Sequence, residues 1–120
     1  MNGPCLTFAA EMNGVNEVPP VYVEATGNVV LLYNETTKRI KLTINYTPMA
    51  LIGAHIHKGD PGEDGAIIFP LDHTMNPIVF EGPVLTAAQK ADLLAGKYYV
   101  NLHTAEYPDG IIRGQLTQQS

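Results

Sequence analysis

His55 and His57 stand two residues apart in Ala54-His55-Ile56-His57. On an extended chain successive side chains alternate faces, so both imidazoles share one face and Ile56 takes the other. Their Cα atoms are then about 6–7 Å apart. Two rings at that spacing can converge on one metal ion, at about 2.0–2.1 Å from each nitrogen. His103 shares a parity with Tyr99 and Asn101 in the segment Tyr99-Val100-Asn101-Leu102-His103-Thr104. If that segment runs beside the first, three imidazoles meet, with Asn101 next to them. Three histidines with an open position suit copper or zinc. Cys5 is the one cysteine, which excludes a multi-thiolate site and an intrachain disulfide. The ordinary alternative is a set of exposed or hydrogen-bonded histidines.

Other residues carry weaker signals. Arg113, on the parity of Ile111 and Gln115, can hold an anion or carboxylate beside such a site, or simply pair with a local acid. His73 sits in the turn-like Asp72-His73-Thr74-Met75 and is the fourth histidine; a solvated loop residue is its plainer reading. Met75 offers a soft ligand for Cu(I), or a filler. Lys58 to Gly65 form a glycine-rich acidic loop without the ordered ligands of an EF-hand, so a tight turn is expected. Glu17-Val18-Pro19-Pro20-Val21 reads as an extended, polyproline-like crossing. No P-loop, dinucleotide fingerprint or serine-nucleophile motif occurs.

The elements that must position these residues are strands. Leu6, Phe8, Ala10 and Met12 share one parity; Val29, Leu31 and Tyr33 share another. Ile40, Leu42, Ile44 and Tyr46 alternate with Lys41, Thr43, Asn45 and Thr47, a strand with one buried face. Asn34 to Thr37 are expected to close a hairpin. Further strands are expected over 51–58, 65–70, 78–84, 97–104 and 110–117, joined by Gly/Pro/Asp turns. Thr86-Ala87-Ala88-Gln89 has the pattern of a capping box, and Gly96 that of a helix stop, so a helix is expected over 87–95. The spacing predicts an all-β, antiparallel, Greek-key-like β-sandwich of about eight strands with one short connecting helix. A chain of 120 residues fits one domain, residues 1–120.

Composition narrows the partners. Apolar residues make up 45% and charged residues 16%, which is globular and not disordered. The net charge of -5 argues against nucleic acid and anionic lipid as partners. No apolar run approaches the ~20 residues of a transmembrane helix. Met1-Asn2-Gly3-Pro4 lacks the basic start and apolar stretch of a signal peptide, as expected of a cytosolic protein or of a mature form. Two sequons, at Asn34 and Asn45, would permit glycosylation in a secreted protein.

Four motifs in order resemble the CHRD domain, named for chordin. They are Glu17-Val18-Pro19-Pro20-Val21, His55-Ile56-His57-Lys58-Gly59 with Gly62 and Gly65, Tyr99 to Thr104, and Gly110-Ile111-Ile112-Arg113-Gly114-Gln115-Leu116. The resemblance implies a β-sandwich module that is extracellular, periplasmic or at the cell surface, without an established enzymatic activity. A weaker resemblance joins the chain to the copper half of Cu,Zn superoxide dismutases. It implies that His55, His57 and His103 match copper-liganding positions and Arg113 the arginine that guides an anionic substrate. The zinc loop and the paired cysteines of that family are absent here.

The leading expectation is an extracytoplasmic CHRD-type module that binds copper or zinc through His55, His57 and His103, with Arg113 and Asn101 supporting the site or holding an anion. The alternatives are a metal-free protein-interaction, self-associating or envelope module, and a dismutase-like copper redox protein.

Overall fold

The computed structural model describes residues 4–119. Among them are nine strands: β1 (Cys5–Asn13), β2 (Thr26–Asn34), β3 (Arg39–Tyr46), β4 (Leu51–Lys58), β5 (Ala66–Pro70), β6 (Ile78–Val84), β7 (Tyr98–Thr104), β8 (Ile112–Gln115) and β9 (Thr117–Gln119). All the pairings are antiparallel, in the order β5-β4-β7-β8-β1-β2-β3-β6, with β9 also on β1. The fold is all-β and antiparallel, as the alternating pattern predicts, and the strands follow one nearly closed sheet path.

Its two halves meet at a narrow seam. β1 and β2 pair along nine residues, from Cys5↔Asn34 to Asn13↔Thr26, but the β1–β8 ladder has one registered pair, Asn13↔Arg113. The inward faces of both halves form one core. Phe8, Leu31, Leu42 and Ile78 come from one half; Ile56, Val100, Leu102 and Ile112 come from the other. Each such side chain contributes about 1.5–3 kcal/mol by leaving water. That is why the period-two residues fix the strands and their register.

The last strand departs from the sequence expectation of one strand over 110–117. Leu116 is fully buried and its amide donates to the Tyr98 carbonyl. The chain bends there, leaves β7, and continues as β9 along β1. The strand count is therefore nine.

The turns follow side-chain chemistry. Asn34 Oδ1 accepts from the amides of Thr36 and Thr37 at 2.8 and 3.0 Å, closing the β2–β3 hairpin. α1 (Ala87–Leu94) carries the expected capping box: Thr86 Oγ1 accepts from the Gln89 amide at 3.1 Å, and Gln89 Oε1 accepts from the Thr86 amide at 2.9 Å. Gly96, with φ +74, ends it. Thr86→Ala is expected to cost about 1 kcal/mol. A urea denaturation midpoint that does not move would show that the cap is not stabilising. No helix among the described residues is long and apolar enough to cross a membrane.

Candidate metal centre

The outer face of β4, β7 and β8 carries the polar residues. Ala54 and Ile56 point into the core, and His55 and His57 point the other way. Register sets the neighbours across strands. His55 pairs with Asn101, which pairs with Arg113; His57 pairs with Tyr99, which pairs with Gln115; His103 faces Gly53. Gly53 has no side chain to fill the space between His103 and His55. Every residue of β7 is buried, so this outer face is covered as fully as the core face. The covers are the Lys58–Gly65 turn, the 105–110 turn and the segment after β1. They are drawn in by bonds such as Gly65 N–H to Tyr99 Oη, Ile111 N–H to Leu102 O and Asn16 Nδ2 to Arg113 O.

The structure brings His55, His57 and His103 together. One ring nitrogen from each lies within 4.8 Å of the other two. A tetrahedral ion with ~2.05 Å bonds holds its nitrogens roughly 3.3 Å apart, so small ring rotations close the difference. His57 Nδ1 lies 3.0 Å from the Gly65 carbonyl and His103 Nδ1 lies 2.9 Å from the Pro108 carbonyl. A carbonyl can only accept, so both Nδ1 atoms carry hydrogen and both neutral rings keep an Nε2 lone pair. This is how metal-binding imidazoles are commonly oriented. His57 Nε2 is buried with no hydrogen-bond partner. His103 Nε2 lies 2.9 Å from His55 Nδ1 and 3.0 Å from Asn101 Oδ1. Two nitrogens and an amide oxygen there compete for one hydrogen, an arrangement that a cation relieves. The donor set fits copper or zinc.

Burial, then the charge of neighbouring histidines, holds His55 below its ordinary range. Burial does the same to His103, against an opposing pull from the Pro108 carbonyl. Both rings therefore stay neutral, and available as ligands, to lower pH than a free imidazole.

Tyr99 stands behind His57. The two rings stack at 4.8 Å with 5° between planes, and the Arg113 guanidinium lies 3.4 Å from the Tyr99 ring centre. Both groups cannot occupy one face of the ring, so Tyr99 is sandwiched between β4 and β8. Arg113 is 2% exposed and its Nη2 donates to the Asp60 carbonyl at 3.1 Å. Asp64 lies 3.8 Å from Nη1. The guanidinium thus braces the turn that carries Gly65, on the far side of Tyr99 from His57. His73 lies apart, in the loop before β6. Its Nε2 donates to Val79 O and its Nδ1 accepts from the Met75 amide, so backbone groups use both nitrogens. Met75 is exposed, and Cys5 is a free, half-buried cysteine.

Sequence reasoning missed Glu17, which is 5% exposed beside Asn101 and Gly110. Burial pushes its carboxyl up to about 7, against the opposing Asn101 hydrogen bond and Arg113 charge. The folded chain therefore keeps a proton that the unfolded chain releases near 4.5. This contribution is fully present below pH 4.5 and lost as pH rises through about 7, on the order of 3 kcal/mol. Glu17→Gln is expected to match the wild type in stability near pH 4.5 and exceed it near pH 8. Parallel urea curves across that range would refute this.

The CHRD domain family model matches residues 8–116, nearly the whole chain. The chain belongs to the CHRD domain family. Searches of curated proteins and of solved structures gave no match.

Proposed function

We propose that this CHRD-type module acts outside the cytoplasm and binds one copper or zinc ion through His55, His57 and His103. The observation that carries this reading is the cluster itself: one ring nitrogen from each histidine lies within 4.8 Å of the other two, and His57 Nε2 is buried without a hydrogen-bond partner. Burying an unpartnered polar atom costs about 1–3 kcal/mol, and a metal bond offsets that cost. The Pro108 carbonyl orients His103 through Nδ1, and Asn101 stands beside its Nε2. Arg113 acts through Tyr99 to keep the His57 ring in place. A bound ion would supply a Lewis-acid or redox centre, while the chain's own part is to hold three neutral imidazoles in a covered site.

One observation favours a second reading. The 2.9 Å contact between His55 Nδ1 and His103 Nε2 also satisfies a metal-free pair, as in a structural or interaction module. Elemental analysis with Cu and Zn titration of wild type and His55→Ala separates the two. Stoichiometric binding that the variant loses supports the metal site; equal, weak binding by both overturns it. A superoxide assay on the copper-loaded protein then tests for a dismutase-like role.

A further inference from the structure

Asn101 pairs with His55 across β4 and stands two residues before His103 on β7, so register and parity put its side chain on the face of both rings. It is 3% exposed. Its Oδ1 lies 3.0 Å from His103 Nε2. The hydrogen of the neutral ring is on Nδ1, 2.9 Å from the Pro108 carbonyl. An amide oxygen and a nitrogen lone pair therefore face each other with no hydrogen of their own between them.

The other end of the amide favours this orientation. Its Nδ2 faces the Asp109 carbonyl at 3.5 Å, and the Glu17 carboxyl lies on the same side: a Cβ at Gly110 would stand 2.7 Å from Asn101 Nδ2 and 2.5 Å from Glu17 Oε2. Turned over, Oδ1 would face the Asp109 carbonyl, again acceptor to acceptor. A residue that only orients a ligand ring takes its N–H on the side away from the ion. For His103 the Pro108 carbonyl already does that. Asn101 stands on the other side, where the ion would be.

We infer that Asn101 Oδ1 is the fourth ligand of the metal site, an inference that rests on the three-histidine reading above. His103 Nε2 lies 2.9 Å from His55 Nδ1 and 3.0 Å from Asn101 Oδ1. Two donor atoms about 2.05 Å from one ion stand roughly 2.9 Å apart at a right angle and roughly 3.3 Å apart at a tetrahedral one. Both distances therefore fit neighbouring ligands. A proton on His103 Nε2 would serve one neighbour at a time and leave His57 Nε2 without a partner; an ion bonds all four atoms. The donor set becomes three imidazole nitrogens and one neutral oxygen. An amide oxygen is a hard donor, which suits Cu(II) and not Cu(I), whose preference is for soft ligands.

The test is pulsed electron–nuclear double resonance of the full chain with one equivalent of Cu(II), in H₂O and in D₂O. With all four positions held by protein atoms, the wild type is expected to show no strongly coupled exchangeable proton of a copper-bound water. Asn101→Leu, of similar size and without a donor, is expected to admit a water and show that proton, with the three imidazole nitrogens retained. Asn101→Asp keeps an oxygen donor and is expected to exclude the water as the wild type does. In competition with a chelator, Asn101→Leu is expected to weaken Cu(II) binding about tenfold and Cu(I) binding by less than about twofold. Three imidazole nitrogens together with a strongly coupled water in the wild type, or equal losses of Cu(II) and Cu(I) affinity in Asn101→Leu, would overturn the Asn101 assignment and leave the three-histidine site standing. No imidazole nitrogen at the copper would overturn both. The wild-type spectrum decides the matter even if Asn101→Leu does not fold.

Discussion

Replacing His57 with alanine is expected to lower Cu(II) affinity by more than about a hundredfold, beyond the ~10–100-fold typical of losing a residue that only supports a ligand. The variant removes the one ring whose Nε2 is buried without a partner, and leaves His55 and His103 bonded to each other. His73→Ala, which removes a ring held by backbone groups in another loop, is expected to change affinity little. Protons compete with the metal for the same lone pairs. His55 and His103 are held below the ordinary value of 6.5, so affinity should stay flat down to about pH 6.5 and fall at lower pH. The metal-free fold follows the same sign. Neutral rings stabilise it fully above pH 6.5, and that contribution is lost as pH falls through the lowered values. Copper should bind more tightly than zinc, on the Irving–Williams order. Calorimetric titration at several pH values measures all of this.

Gly65→Ala is expected to damage both fold and site. A Cβ there would lie 1.6 Å from the Lys58 carbonyl oxygen, so backbone must move. Gly65 also donates its amide to Tyr99 Oη at 2.9 Å and accepts from His57 Nδ1 at 3.0 Å. Moving it removes the group that fixes the His57 tautomer and lets Tyr99 shift from behind the ring. A loss of about 2–4 kcal/mol in stability is expected. Metal affinity should fall about 10–100-fold, the usual effect of losing a bond that orients a ligand. Gly62→Ala is the control. It meets open space in the same turn, at φ +86, and should cost only about 1 kcal/mol with metal binding intact. Equal behaviour of the two variants would show that the Gly65 contacts do not orient His57.

The three histidines were legible because strand parity is a local rule. Once 51–58 and 97–104 alternate, side-chain direction follows, and only the pairing of β4 with β7 had to come from the fold. The capping box of α1 was legible for the same reason. Glu17 was not. It lies in a segment without periodicity, and its burial depends on Gly110, 93 residues later, leaving room for its carboxyl. The role of Arg113 was half legible. Its parity placed it on the outer face, but the sequence does not say that Tyr99 would stand between it and His57. The bend at Leu116 was hidden because Ile112, Gly114 and Leu116 continue one parity across it. An unbroken pattern does not show that the chain changes partner from β7 to β1.

Electron paramagnetic resonance of the protein with one equivalent of Cu(II), resolved for nitrogen couplings, tests the central claim most directly. Three imidazole nitrogens at one copper are predicted in the wild type, with the pattern lost in His57→Ala. A copper signal with no imidazole nitrogen, or one identical in wild type and in a variant lacking all three histidines, would contradict it.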